Sequence, residues 1–291
     1  MGSMETREFT EIGTWSETKL EIIRKYAQAY TTILSRHSEI KRYVYIDGFA
    51  GQGVHISRAT GQPVLGSPLN ALLVNPPFHE YHLVDLNAQY ASTLRKFTQG
   101  FANVFVYDED CNVVLPSKIF PRARYEDYAR GLCLLDPYGL HLNWKVIQMA
   151  GQMKSIELFI NFPTMDINRN VLTRDKRVVD VRFAEDPARA ARMAERMTAF
   201  WGDESWKDIG YSGQQTDLFG GFEKASNEIL ATAFRERLKN IAGFGFVPEP
   251  VAMQYMNRTL YYLFFASPNA TGGDIVEDIF DKYRTSGSDP S

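Results

Sequence analysis

Residues 43–53 have the sequence Tyr43-Val44-Tyr45-Ile46-Asp47-Gly48-Phe49-Ala50-Gly51-Gln52-Gly53, in which a compact apolar run passes directly into a glycine-rich turn. The run predicts a buried strand, because strands covered on both faces lack polar alternation. Gly51 and Gly53 allow a tight turn and a close approach of the backbone to a ligand. The spacing excludes two ligand classes. No glycine follows Gly53 at the step required by the dinucleotide fingerprint G-x-G-x-x-G, and no G-K-[ST] follows, as the phosphate loops of NTPases require.

The same alternation of strand and helix extends along the chain on both sides of this turn. Further strand-like runs occupy residues 81–86, 104–107, 132–135 and 156–162. Helical patterns occupy residues 15–37, 88–97, 113–119 and 142–150, and Ser67-Pro68 is typical of another helix start. Alternating elements of these lengths predict a parallel sheet with helices on both faces.

The last third of the chain departs from this alternation. Residues 222–240 have a helical pattern, and two strand-like runs follow, 246–256 and 260–267, joined by the short polar turn Asn257-Arg258. Two strands so closely joined must be antiparallel. The predicted fold is therefore α/β and Rossmann-like: a seven-stranded, mostly parallel sheet closed by an antiparallel hairpin. This arrangement resembles class I methyltransferases more than the six-stranded dinucleotide fold.

A single domain spanning residues 1–291 is predicted, with an insertion at 163–221 that has no strand pattern. Since the insertion follows the carboxyl end of the fifth strand, it is a natural place for substrate recognition. Its candidate substrate-binding residues are basic: Arg169, Arg174, Lys176 and Arg177, with Arg182 in the same run. Its aromatic residues are Trp201, Trp206, Tyr211 and Phe219. Alternatively, the insertion is a lid on the core with its aromatic residues buried inside.

Composition excludes several classes of protein. The formal net charge of −3 argues against a broad cationic surface for nucleic acid. Two cysteines provide no disulfide framework, which favours a reducing compartment. No apolar run or leader pattern indicates a membrane span or signal peptide, so a cytoplasmic protein is expected. The five histidines have no metal-site spacing with the cysteines, and no metal is predicted.

The turn after the first strand resembles the first motif of class I methyltransferases, an acidic residue followed by Phe-Ala-Gly-x-Gly. The predicted ligand is accordingly S-adenosylmethionine. The candidate cofactor-binding residues in this turn are Asp47, Gly48, Phe49, Ala50, Gly51 and Gly53. A plain strand-to-helix turn is the alternative.

Two further strand ends supply candidate cofactor contacts. Asp85, followed by Leu86, ends the strand expected beside the first, where a carboxylate accepts the two ribose hydroxyls of an adenosine. Asp85 as a helix cap is the alternative. Asp110-Cys111-Asn112 closes the third strand, and Asp110 is the candidate acceptor for the adenine amine. Here too a helix cap or a turn residue is the alternative.

The fourth strand ends in Asp136-Pro137-Tyr138-Gly139, which contains the candidate catalytic residues. Amino-methyltransferases place an acidic or amide residue, a proline and an aromatic residue here. The polar group then holds a substrate amine and the ring stacks on the flat group being methylated. Tyr138 stands where a cytosine C5 enzyme would need a cysteine nucleophile, so covalent pyrimidine chemistry is not expected.

Several segments together resemble the bacterial three-Cys-motif partner (TcmP) family: Trp15-Ser16-Glu17-Thr18-Lys19-Leu20, residues 45–53, Gly66-Ser67-Pro68-Leu69-Asn70-Ala71-Leu72, Leu135-Asp136-Pro137-Tyr138-Gly139 and Ile160-Asn161-Phe162-Pro163. The resemblance implies a methyltransferase-like protein that works with a separate companion. That companion carries three clustered cysteines and looks like an iron–sulfur radical enzyme. Because an N-terminal helix often covers the cofactor crevice in this fold, Lys19 is a substrate-binding candidate.

The leading hypothesis is methyl transfer from S-adenosylmethionine to an amine or similar nucleophile, in a nucleobase, a peptide or a small molecule. Two alternatives stay open. One is a non-catalytic module of methyltransferase fold that binds the cofactor or a partner. The other is a nucleic-acid-binding methyltransferase that uses the basic run 169–182.

Overall fold

A computed structural model describes residues 9–172, 186–211, 225–256 and 258–286. Its main sheet has seven strands: β2 (Arg42–Asp47), β5 (Glu80–Val84), β6 (Val104–Tyr107), β7 (Ala129–Leu135), β8 (Ile156–Phe162), β9 (Val251–Tyr255) and β10 (Arg258–Ala266). Their order across the sheet is β6-β5-β2-β7-β8-β10-β9. The first five are parallel, and β10 runs antiparallel between β8 and β9. The predicted fold class is confirmed.

Helices cover both faces of this sheet. They are α1 (Thr14–Leu34), α2 (Ser67–Leu72), α3 (Ala88–Thr98), α4 (Cys111–Val114), α5 (Trp144–Met153), α6 (Thr164–Asp166), α7 (Pro187–Trp201), α8 (Trp206–Gly210), α9 (Asn227–Asn240) and α10 (Ala270–Ser286). Successive residues of β2 point to opposite faces, so Val44 and Ile46 join one apolar cluster while Tyr43 and Tyr45 join the other. This two-sided burial explains the uninterrupted apolar run in the sequence.

The sequence patterns did not predict the small second sheet or the last helix. The small sheet is formed by β1 (Glu11–Ile12), β3 (Val54–Ser57) and β4 (Pro63–Leu65). Helix α10 contains Gly272-Gly273, and because this pair lowers helix propensity, the sequence of the segment does not indicate a helix. Both glycines are required by packing: a Cβ on Gly273 would lie 1.8 Å from the Phe246 ring, and one on Gly272 would lie 2.5 Å from Glu157 Oε1.

The described part of the insertion packs against the sheet. Phe200, Trp201 and Trp206 are fully buried and Tyr211 is nearly so, which supports the alternative in which these aromatic residues are core residues. Arg169 is exposed after β8. Arg174, Lys176, Arg177, Arg182 and Phe219 lie outside the described residues. Among the described helices, none is long and apolar enough to cross a membrane.

Candidate active site

The carboxyl ends of the parallel strands meet at one edge of the sheet. From β2 the chain continues to β5 on one side and later returns to β7 on the other. Ligand crevices of open α/β sheets form where the strand order reverses in this way. Asp47 pairs in register with Leu134, so Asp136 follows two residues further along the neighbouring strand. The glycine-rich turn and Asp136 therefore border one crevice.

The glycines of the turn after β2 have different roles. Gly51 has a φ of +63°, and a Cβ built on it would find no atom within 4 Å. Gly53 also has a positive φ, but its Cβ would lie 2.9 Å from Leu94, and a Cβ on Gly48 would lie 2.9 Å from Leu135. Gly48 and Gly53 are thus needed for close packing. Gly51 lines open space that a ligand can fill.

Asp85 connects this turn to the next strand. Its Oδ2 accepts a hydrogen bond from Gly51 N at 2.8 Å, and its Oδ1 accepts one from Asn87 N at 2.8 Å. The N-cap of α3 is Asn87, so Asp85 is not the helix cap that the alternative prediction made it. Each oxygen of an ionised carboxylate keeps a further lone pair, so Asp85 can still accept ribose hydroxyls. Leu86 beside it is 72% exposed.

Asp47 is fully buried and stabilises the glycine-rich turn through hydrogen bonds. Its carboxyl group accepts hydrogen bonds from Ser67 Oγ at 2.6 Å, Phe49 N at 3.2 Å and Tyr45 Oη at 3.3 Å. Burial raises the pKa of Asp47 to about 7, and the three hydrogen bonds only partly oppose this rise. Because no part of Asp47 reaches the crevice surface, its contribution to ligand binding is through the shape of the turn. Ala50 is buried and Phe49 partly buried in the same turn.

The third strand end has a capping geometry. Asp110 is the N-cap of α4, where its Oδ1 accepts from Asn112 N at 2.9 Å. The Asn112 side chain bridges to the next loop, donating to His141 O at 2.9 Å and accepting from Asn143 N at 2.7 Å. Burial raises the pKa of the Cys111 thiol to about 12. The geometry favours structural roles for Cys111 and Asn112, while the exposed Asp110 stays a candidate for the adenine amine.

Asp136 lies in a group of four residues that we name the Asp136 cluster: Lys19, Asp136, Asn161 and Tyr261. Lys19 Nζ of α1 forms an ion pair with Asp136 Oδ2, and Asn161 Nδ2 at the end of β8 donates to Asp136 Oδ1 at 2.7 Å. Lys19 Nζ also lies 5.2 Å from the centre of the Tyr261 ring. Burial is the largest single influence and lowers the Lys19 pKa, but the charge and hydrogen bond of Asp136, together with Tyr261 and Asp47, outweigh it and hold the Lys19 pKa above its ordinary value.

The Tyr138 ring is 92% exposed beside this cluster, whereas Pro137 is buried. An exposed ring at the carboxyl end of a strand offers a flat surface for stacking. Gly139 has a φ of +69° and turns the chain sharply after it. Of the predicted residues, Lys19 thus contacts Asp136 directly, and Tyr138 follows Asp136 by two residues at the same strand end.

Sequence reasoning assigned no role to Asn161, Tyr261 or His55. Asn161 is a polar residue in the apolar run of β8, a signal that could have been used. His55 lies on β3, a strand that the sequence patterns did not predict. Burial lowers the pKa of His55, and the charge of Lys19 lowers it further against the opposing charge of Asp136.

No family model matches the sequence, and no curated protein is similar to it. The resemblance to the three-Cys-motif partner family is therefore not supported by these comparisons. Solved structures are similar in fold. A Legionella pneumophila protein of the family DUF519 has a TM-score of 0.47 and 10% identity, with 91% of this chain and 92% of that chain covered. A Leishmania major SAM-dependent methyltransferase has a TM-score of 0.37 and 10% identity, with 87% of this chain and 82% of that chain covered. The DszA carbon methyltransferase has a TM-score of 0.40 and 12% identity, with 82% of this chain and 51% of that chain covered. Likenesses this distant do not assign an activity.

Proposed function

We propose that this protein transfers a methyl group from S-adenosylmethionine to a nitrogen nucleophile: the N–C bond forms as the methyl–sulfur bond breaks, S-adenosylhomocysteine leaves, and the proton of the nitrogen is released to solvent. The observation that carries the proposal is the open space beside Gly51, which we name the Gly51 cradle and which a side chain at this position would fill. Asp85 accepts a hydrogen bond from Gly51 N and so borders the cradle. The cradle lies where the strand order reverses, the usual place of a ligand crevice in this kind of sheet. Asp85 would accept the ribose hydroxyls, and the Gly51 turn would lie against the rest of the cofactor.

On the acceptor side, Asp136 and Tyr138 would hold and stack the nucleophile. The cofactor supplies an already activated methyl group, so the protein's task is to align the acceptor and to exclude water. Asp136 suits this task because Lys19 and Asn161 fix the direction of its two oxygens. From the family resemblance alone, we further propose that a companion with three clustered cysteines acts together with this chain.

Replacing Gly51 by alanine tests the cradle. The added methyl group occupies the open space, and we expect the affinity for S-adenosylmethionine to fall about tenfold in isothermal calorimetry. The matched control is Gly61→Ala, because Gly61 has nearly the same φ, +68°, and equally open surroundings on the β3–β4 loop. Both variants should lose about 1 kcal/mol of stability through backbone strain, and only Gly51→Ala should lose affinity. Equal affinities in the two variants would remove the cradle from cofactor binding.

Replacing Asp85 by alanine tests the ribose contact. Loss of charge-assisted hydrogen bonds should weaken S-adenosylhomocysteine binding by about 1.5–3 kcal/mol. Asp108→Ala is the control, since Asp108 is an exposed carboxylate after β6 that pairs with Arg95 at 2.7 Å. A wild-type protein that binds neither form of the cofactor at millimolar concentration would contradict the proposed function itself.

A further inference from the structure

The charge of the Asp136 cluster is balanced before any acceptor arrives. Lys19 is a buried ammonium, its side chain only 8% exposed, and it is paired with a carboxylate that is 27% exposed. A buried charge is tolerated when it is paired and hydrogen-bonded, and both conditions are met for Asp136 by Lys19 and Asn161. The cluster is therefore close to neutral, although it contains the candidate catalytic carboxylate, Asp136.

Asn161 leaves one hydrogen-bonding group unused. Its Nδ2 must face the Asp136 carboxylate, because an amide oxygen there would oppose a like partial charge. Its Oδ1 is consequently turned away, and this buried oxygen has no partner among the described residues. A buried acceptor without a donor is costly, and the bond from Asn161 Nδ2 to Asp136 is kept although it leaves this oxygen unpaired.

A neutral cluster that contains a partly exposed carboxylate favours one kind of nucleophile. A neutral N–H group can donate to the remaining lone pairs of Asp136, whose side chain is 27% exposed. An ammonium ion would instead lie beside the ammonium of Lys19, and near the positive sulfur of the methyl donor, in a poorly hydrated site. Such like-charge contacts exclude cations more strongly than they exclude neutral donors.

From these contacts we infer that Lys19 determines the acceptor class: it cancels the charge of Asp136, so that the pocket takes a neutral N–H donor, such as an amide or an exocyclic amine, and rejects an ammonium ion. The inference rests on the proposed function and deepens it. Lys19 acts through Asp136 and is a positioning and specificity-determining residue. Its place on α1, 117 residues from Asp136 in the sequence, makes α1 part of the acceptor pocket.

The test compares two ligands that differ in charge at the transfer position. S-adenosylhomocysteine is neutral there, and its analogue sinefungin carries a protonated amine in place of the methyl sulfonium. Calorimetry gives the affinity of each ligand. The measured quantity is the affinity for sinefungin divided by the affinity for S-adenosylhomocysteine, because this ratio is unaffected by a change that weakens both ligands equally. In the wild-type protein we expect sinefungin to bind no more tightly than S-adenosylhomocysteine.

Variants should move this ratio in opposite directions. Lys19→Met leaves Asp136 uncompensated and should favour sinefungin about tenfold relative to wild type. Asp136→Asn leaves Lys19 uncompensated and should disfavour sinefungin by a similar factor. The double variant Lys19→Met/Asp136→Asn removes both charges and should restore the wild-type ratio, as should Lys19→Arg. If Lys19→Met does not fold, Asp136→Asn and the double variant still decide the question.

The matched control is Lys25→Met on the same helix. Lys25 also pairs with a carboxylate, Glu21 at 2.8 Å, and also lies over a tyrosine ring, Tyr283 at 5.1 Å, but it is outside the crevice cluster. Its variant should keep the wild-type ratio. A wild-type protein that binds sinefungin tenfold more tightly than S-adenosylhomocysteine would overturn the inference, as would a ratio that no variant changes. Both results leave the proposed function standing, whereas failure to bind either ligand overturns both.

Discussion

Asp136→Ala is expected to abolish methyl transfer and to lower the free energy of unfolding by about 3 kcal/mol. Transfer is lost because the acceptor no longer has a group to hold it. Stability is lost because the Lys19 ammonium, whose side chain is only 8% exposed, is left without a counter-charge. Urea denaturation monitored by circular dichroism measures the second effect, and transfer of labelled methyl groups to an identified acceptor measures the first.

A fall in stability would therefore not separate a catalytic role of Asp136 from a structural one. The double variant Lys19→Met/Asp136→Ala does so, because it removes the stranded ammonium together with the carboxylate. We expect it to regain most of the lost stability while remaining inactive. A folded double variant with a near-normal turnover would show that Asp136 only braces the loop after β7.

Asp47→Asn is expected to change how stability depends on pH. The pKa of Asp47 is raised from 3.8 to about 7 in the folded protein, so the folded state holds its proton more tightly than the unfolded state. This stabilisation is complete below about pH 4 and is lost as pH rises toward 7. Between pH 5 and pH 8 the wild-type protein should lose about 2–3 kcal/mol that the asparagine variant keeps.

Urea denaturation of both proteins at the two pH values gives this difference directly. Glu157, another buried carboxyl group with a raised pKa, is present in both proteins and cancels. Asp108→Asn is the control, because a hydrogen bond from Arg95 lowers the pKa of Asp108, so this carboxylate does not titrate between pH 5 and pH 8 and the variant should follow the wild type. If wild type and Asp47→Asn changed in parallel, Asp47 would be ionised throughout this range.

The main sheet could be predicted from sequence because its strands are short apolar runs. β8, for example, is buried at all seven positions and has no competing helical pattern. The small sheet escaped prediction because β1 and β4 have only two and three residues, too few to show a period. Helix α10 escaped because packing against Phe246 and Glu157 demands glycines that local propensity disfavours.

Strand ends were the places where the pattern of the chain itself predicted the candidate site, whereas Lys19 was suggested by the family resemblance and the usual place of an N-terminal helix in this fold. Asp85 and Asp136 could be placed because parallel strands share a carboxyl edge. The partners of Asp136 could not be placed in the same way. Lys19 lies beside the apolar stripe of α1, and nothing local in a helix indicates which distant carboxylate its ammonium will meet. Such pairings depend on how α1 crosses the sheet, which is a property of the tertiary structure.

The packing of α1 also has a consequence for synthesis on the ribosome. Helix α1 precedes β10 by most of the described chain, yet the Tyr26 ring packs against Phe265 at 4.7 Å and Lys19 lies over Tyr261, both on β10. In a nascent chain this part of the α1 surface therefore stays exposed until β10 has been translated, an interval in which chaperones can bind it. The Asp136 cluster is completed only when β10 has left the ribosome.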